Sequence, residues 1–131
     1  NVTSVRLGAR VPITLTASGA ALISQMPQHQ RAEICAGVEF ATHDHNKVFE
    51  ESVDQVITTG VCVSPSMVIA GVQNISVPIL DYSGLVVASL TIPYIQRLIS
   101  TNDPDLDQAK TALAETGKNI SIRLGAGVST L

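Results

Sequence analysis

Two cysteines and a His-x-His pair are the residues of this chain that could carry covalent or metal chemistry. His43-Asp44-His45 with Cys35 or Cys62 would supply nitrogen and sulfur ligands for Zn²⁺. Structural zinc sites typically pair their ligands as C-x2–4-C and H-x3–5-H, and neither recognised spacing occurs here. The pair reads better as the solvated start of a helix. Cys62 with a histidine could act as a nucleophile pair, but such a base needs a third group to orient it, and the sequence supplies none. A cysteine inside an apolar run reads instead as a reduced core thiol. Asp103, Asp105 and Asp107 alternate ahead of a helical pattern. Without the glycine and terminal glutamate of a calcium loop, they serve a helix cap and its dipole. Gly125-Ala126-Gly127 follows a helix where a phosphate loop would open one. Asn74 and Thr91 stand in apolar strand-like runs, and either satisfy the sheet interior or face a pocket. No acid, base and nucleophile stand at workable spacing, so the chain is expected to be no enzyme and to use no metal or cofactor.

The elements that must position these residues follow from periodicity. Val2 to Val11 alternates loosely and predicts an extended arm. Thr16 is a suitable N-cap for a helix of small residues, Ala17, Ala20, Ala21 and Ile23, ending near Met26-Pro27. A short helix is expected around Ala32 to Gly37. Asp44 caps another, with Phe49, Val53, Val56 and Ile57 on one stripe and Gly60 at its C′ position. Val61-Cys62-Val63 begins a strand that Ser64-Pro65-Ser66 breaks, and Val68 to Gly71 is extended. Ile75 to Leu80 alternates as a strand with Ile75, Val77 and Ile79 on one face. Pro78 within it points to an edge or a bulge. Asp81-Tyr82-Ser83-Gly84 has the residues of a hairpin turn. Leu85 to Ile92 is almost wholly apolar, as a central strand buried on both faces would be. Asp103-Pro104 marks the start of the last helix, whose stripe is Leu106, Ala109, Leu113, Gly117, Ile120 and Leu124, and Gly125 ends it. Residues 126–131 read as a frayed tail. This order predicts an α+β layer fold with a mostly antiparallel sheet and flanking helices.

Size and charge narrow the function. A chain of 131 residues is one domain by length and long enough for a real core. That core must be aliphatic, because there are two Phe, two Tyr and no Trp. Charged residues are 15%, well below the usual ~25%, which suggests surface buried in a partner and hence a homo-oligomer. The net charge is −3 and the Lys and Arg are scattered, so the chain alone is not expected to bind nucleic acid. No apolar run approaches the ~20 residues that span a bilayer, and no signal peptide opens the chain. A cytoplasmic location is expected.

Four segments together resemble the effector-binding domain of the IclR family of bacterial transcriptional regulators. Val5-Arg6-Leu7-Gly8-Ala9-Arg10-Val11-Pro12, followed by Thr16-Ala17-Ser18-Gly19-Ala20-Ala21-Leu22, is similar to its V-R-x-G-x-R-x-P and T-A-x-G-x-A-L. Pro12 and Pro27 flank that helix as two prolines do in the family. Phe49, Val53, Val56 and Gly60-Val61 match L-x3-L-x2-V-x3-G-Y, with Gly71-Val72 at the family's distance beyond Ser64. Val77-Pro78-Ile79-Leu80-Asp81, Gly84 and Val86-Val87-Ala88-Ser89-Leu90 resemble A-P-V-x-D-x2-G-x-V-V-A-A-L.

The resemblance implies a GAF-like fold that binds a small metabolite, often a carboxylate. It also implies a DNA-binding winged helix-turn-helix and further elements ahead of residue 1 of this chain. DNA would then be contacted only through that segment. Family pocket positions map onto Ala17, Ser18, Ser64, Val72, Asn74 and Thr91, with Gly19 at the same helix opening. A helix start suits a carboxylate, and neutral hydrogen-bonding groups facing it would orient a small organic acid or sugar acid. Departures from the family pattern are Ser64 for Asp, Asn74 for Cys, Thr14 for His and Ala20 for Lys. A turn one residue shorter precedes Arg97-Leu98. The rival readings are a thiol-dependent enzyme using Cys62 and a pure dimerisation module.

Overall fold

The computed structural model describes residues 7–37, 43–66, 69–95 and 102–127. A short 3-10 turn (Ile13–Leu15) leads into α1 (Ala17–Ile23) and α2 (Gln28–Ala36). Then come α3 (His43–Thr59), strands β1 (Cys62–Pro65), β2 (Val72–Leu80) and β3 (Val86–Ile95), and α4 (Leu106–Arg123). The described strands form one antiparallel sheet in the order β1-β2-β3. The architecture is α+β, as the order of elements predicts.

Strand alternation divides the sheet into two faces. Val61 and Val63 from the β1 segment, Ile75 and Val77 from β2, and Leu90, Ile92 and Tyr94 from β3 pack against Leu106, Ala109 and Leu113 of α4. The opposite face carries Cys62, Ser64, Asn74, Ser76 and Thr91. There α1 and α3 close a second core of Ala17, Ala20, Ile23, Phe49, Val53, Val56 and Cys62. The helices thus sandwich the sheet, and each contributes one stripe. α1 reaches the sheet closely because its residues are small. Its Gly19 lies so near the 3-10 turn that an added Cβ would meet the Ile13 carbonyl oxygen at 1.9 Å. Gly117 lets α4 do the same, since a Cβ there would stand 2.7 Å from Val77 Cγ2.

Several boundaries differ from the periodicity reading, each for a local reason. α1 ends at Ile23, short of Met26-Pro27, and Pro27 instead stands at the start of α2, which begins at Gln28 and not near Ala32. Asp44 lies in the first turn of α3 and does not cap it. Ile57 leaves that helix's buried stripe at 51% exposure. β1 runs through Ser64 and Pro65, because both pair with β2. Residues 69–71 make a turn closed by the Val72 N–H and the Ile69 carbonyl, where an extended segment was expected; Val68 lies outside the described residues. Asp105, not Asp103, caps α4, accepting from Gln108 N at 2.7 Å while Gln108 Oε1 accepts from Asp105 N at 2.9 Å. This capping box satisfies two otherwise unpaired donors and fixes the start two residues later. Leu124 is exposed, and Ser121 takes the buried place, its hydroxyl accepting from the buried Leu80 N–H at 3.0 Å.

The largest correction concerns β3. Its apolar run predicts a central strand, yet it is the outer one of the described sheet, with Val87 half exposed and Ile95 63% exposed. β2 is central and holds Pro78. β1 reaches only to Ser76, so among the described residues Pro78 lies where β2 lacks a partner on that side, and a register shift follows between Ile79 and Leu80. The missing N–H is tolerated for both reasons. The hairpin is as expected: Gly84 N bonds Asp81 O at 3.0 Å, and the Asp81 carboxylate accepts from Ser83 N at 2.8 Å. The Ser83 hydroxyl and amide hold that carboxyl below its usual range. The arm expected over Val2 to Val11 falls partly on residues 1–6, outside the described residues, and residues 9–12 form no strand. The Arg97-Leu98 region and residues 128–131 also lie outside.

Candidate functional site

Thr16 organises the opening of α1. Its hydroxyl donates to the Pro12 carbonyl at 3.1 Å and accepts from Gly19 N at 3.0 Å. The Gly19 N–H is therefore spent within the helix start, and Gly19 contributes close packing in place of a free donor. Ala17 is buried, and its carbonyl oxygen accepts from Cys62 Sγ at 3.6 Å.

From Ser18 a chain of hydroxyls crosses the sheet. Ser18 Oγ lies 2.7 Å from Thr91 Oγ1, which lies 2.7 Å from Ser76 Oγ. Cross-strand register creates this row, since Cys62 stands opposite Ser76 and Ser76 opposite Thr91. Three hydroxyl protons serve two contacts, so one O–H remains to donate outside the chain. Ser76 is fully buried. In the next row Ser64 faces Asn74, and Val72 follows one pleat further along. Ser64, Val72, Asn74 and Thr91 therefore share the face on which α1 packs. Ser64 and Asn74 are half-buried, and no hydrogen bond among the described residues uses either side chain.

The thiols are not activated. Burial pushes the Cys62 thiol up to about 11, which keeps it protonated at neutral pH. Cys35, on α2, is raised by burial and by the nearby Glu50 carboxylate. Among the described residues no three His, Cys, Asp or Glu side chains gather to hold a metal ion. The side chain of His43 lies outside the described residues.

Two cavities flank α3. One, of about 160 Å³, lies against α2 and is lined by Arg31, Cys35, Glu50 and Asp54 among others. Its arginine is turned to the Met26 carbonyl at 2.5 Å. The other, of about 180 Å³, lies between the 3-10 turn, α3 and the end of β1. Thr14, Leu15 and Thr16 form one wall, His45, Val48, Phe49 and Ser52 a second, and Ser64 and Pro65 the third. Of the seven positions expected to hold an effector, only Ser64 lines it. Sequence reasoning noted Thr14 only as a departure from the family histidine and His45 as a helix-start residue. Neither carries a periodic signal, because the cavity is made by a turn, a helix and a strand end meeting.

A small-residue helix laid across a hydroxyl-bearing antiparallel sheet, with a long helix behind, defines an α+β domain of the kind that forms the C-terminal part of certain bacterial regulators. The chain belongs to that family: the model described as bacterial transcriptional regulator IclR C-terminal matches residues 2–122. These domains are the effector-binding part of transcriptional regulators, a family that is not one of enzymes. The fold is similar to that of Thermotoga maritima IclR, at 25% identity and a TM-score of 0.74, covering 94% of this chain and 51% of that one. It is also similar to the inducer-binding domain of a double mutant of PobR from Acinetobacter, solved with 3-hydroxybenzoic acid. There the identity is 25% and the TM-score 0.69, covering 92% and 73%. The C-terminal domain of the E. coli regulator KdgR is similar in fold at 24% identity and a TM-score of 0.72, covering 90% and 74%. The chain spans about half the length of full regulators such as BlcR from Agobacterium tumefaciens. Comparison with curated proteins by sequence gives no match. No helix among the described residues is long and apolar enough to cross a membrane.

Proposed function

We propose that this chain is the effector-sensing part of a cytoplasmic bacterial transcriptional regulator, and that effector binding modulates DNA binding by a winged helix-turn-helix segment. The effector is a small mono- or dicarboxylate, or a sugar acid. It sits between the opening of α1, at Ala17, Ser18 and Gly19, and the sheet positions Ser64, Val72, Asn74 and Thr91. The observation that carries this reading is the shared sheet face. Two side chains with unused hydrogen-bonding capacity, Ser64 and Asn74, stand one row from the hydroxyl chain that ends at Ser18. The first N–H groups of a helix lack intrahelical acceptors, so Ala17 and Ser18 add donors at the same end. The small acid bound to the PobR domain belongs to the same chemical class. A buried thiol held protonated speaks against the Cys62 enzyme.

The scattered cations of a chain with net charge −3 leave DNA contact to the winged segment. The protein self-associates as a dimer or tetramer, which sedimentation at high concentration tests.

A thermal-shift screen with organic acids and sugar acids, 3-hydroxybenzoate among them, tests the site. A true effector at a hundred times its Kd adds about 2.7 kcal/mol of stability. Asn74→Ala is expected to weaken its binding about fivefold or more while leaving the unliganded melting temperature unchanged. Binding unaltered by Asn74→Ala would refute this placement. A screen in which no acid stabilises the chain would refute acid sensing.

A further inference from the structure

We infer that the cavity between α2 and α3 is a second binding site, for a small zwitterion of the amino-acid class. Arg31 takes its carboxylate, and Glu50 and Asp54 take its ammonium. None of the residues of the acid site proposed above lines this cavity. Size sets the first limit. An apolar cavity of about 150 Å³ holds benzene. This one, of about 160 Å³, has room for alanine, which has as many non-hydrogen atoms.

The charges set the chemistry. Glu50 and Asp54 stand one helical turn apart on α3, so their carboxylates share one side of it, and both line the cavity. Like charges at this spacing repel. Neither carboxylate has a hydrogen bond or an ion pair among the described residues. Arg31 lines the α2 wall. One of its N–H groups donates to the Met26 carbonyl, and no acceptor among the described residues takes the other guanidinium donors. A cation and two anions thus border one cavity without pairing with each other. Cys35, in the same wall, feels both signs: beyond the effect of burial, Glu50 raises its thiol and Arg31 lowers it.

A cation alone would lie against Arg31 in so small a space, and an anion alone against the two carboxylates. A molecule that carries both charges meets a partner at each end and relieves the repulsion between Glu50 and Asp54. Gln28, the first residue of α2, adds an amide one turn from Arg31, and no side chain caps that helix start. The buried Phe49 and Val53 give the cavity an apolar side for a short side chain.

L-alanine is the probe, with n-propylamine and propionate as its single-charge counterparts. All three are titrated into the 131-residue chain and followed by amide chemical shifts. Alanine is expected to saturate with a Kd on the order of 1 mM, typical of a ligand with so few atoms. The shifts should centre on Gln28, Arg31, Cys35 and Glu50. At those amides alanine should bind about fivefold tighter than either counterpart, the upper end of what a partly exposed ion pair contributes. Its binding should also slow the labelling of Cys35 by a thiol reagent. Arg31→Gln keeps a donor for the Met26 carbonyl. It is expected to leave the chain folded and to abolish the preference for alanine over propylamine. Glu50→Gln/Asp54→Asn, at exposed positions, should abolish the preference over propionate. If Arg31 and the carboxylates satisfy each other in solution, alanine does not saturate, which would overturn the inference. So would shifts centred elsewhere, a counterpart that binds as tightly as alanine, or a preference that survives its variant. Because Asn74 does not line this cavity, Asn74→Ala is expected to leave alanine binding unchanged, so failure here and failure of the acid site are distinguishable.

Discussion

Replacing Thr91 by valine tests the hydroxyl chain that ties α1 to the sheet. The two side chains have nearly the same shape, so no cavity forms. Two hydrogen bonds of 2.7 Å are lost, one to Ser18 and one to Ser76. Their consequences are unequal. Ser18 is half-buried and can turn to water, so its loss costs well under about 1 kcal/mol. Ser76 is fully buried and is left with an unsatisfied hydroxyl, at a cost of about 1–3 kcal/mol. Burying an extra methyl returns part of this, at most about 0.8 kcal/mol. The net expectation is a loss of about 2 kcal/mol. With an unfolding entropy of about 2.1 cal/mol/K per residue over this chain, that lowers the melting temperature by roughly 7 °C. Circular dichroism during urea and thermal unfolding measures both quantities. The cycle with Ser76→Ala isolates the cause. Removing the orphan itself should make Ser76→Ala/Thr91→Val no less stable than Thr91→Val alone. A Thr91→Val variant within 0.5 kcal/mol of the native chain (about the scatter of neutral surface changes), or strictly additive single effects, would refute the network.

Gly19→Ala forces a Cβ into the Ile13 carbonyl, which is backbone and must move, so a loss of at least about 3 kcal/mol is expected in urea unfolding. A variant as stable as the native chain would show that the 3-10 turn is not packed on α1. Cys62 should resist thiol reagents at pH 8 until the chain unfolds, whereas half-buried Cys35 should react in the folded state. The folded Cys62 thiol titrates near 11, above the ordinary 9.0, so the unfolded state loses its proton first. Stability is then intact below pH 9 and falls between pH 9 and 11 by about 2–3 kcal/mol; Cys62→Ala should abolish that fall. Asp105→Ala removes the α4 capping box and should cost about 1 kcal/mol, whereas Asp103→Ala should cost less.

Elements that obey a single periodicity were legible in the sequence. The stripe of α4 through Leu106, Ala109, Leu113 and Gly117, the alternation of Ile75, Val77 and Ile79, and the Asp81–Gly84 turn all report local rules that the packed structure keeps, whereas Leu124 at the helix end leaves the stripe. β3 was misread because a run of apolar residues gives hydrophobicity without neighbour identity. Burial of a strand depends on what lies beside it, and β3 is the outer strand of the described sheet. The cap of α4 was misplaced because Asp103 and Asp105 are both suitable residues, and the reciprocal bond from Gln108 decides between them. The resemblance brought Ala17, Ser18, Ser64, Asn74 and Thr91 into consideration together, and pairing register sets the strand positions among them on one face. Ser76 was not singled out. One signal could have found it: a serine alternating with Asn74 in an otherwise apolar strand must share that residue's face.

The hydroxyl chain also explains why polar residues stand in so aliphatic a core. Ser18 is a helix residue, whereas Ser76 and Thr91 are strand residues, and their bonds link α1 to the sheet where the other contacts are apolar side chains and the weak bond from Cys62 Sγ to the Ala17 carbonyl. Apolar contacts between Ala17, Ala20 and the sheet carry little directional preference. A row of hydroxyls fixes the position of α1, because a slide along the sheet strands the buried Ser76 oxygen. A ligand that takes up the spare hydroxyl proton, or competes with Thr91 for Ser18, acts on the same bonds that hold α1 in register. Binding at the α1 opening would therefore be read out as a change in how α1 sits on the sheet. The Thr91→Val chain is expected to lose that readout even where it still binds the effector.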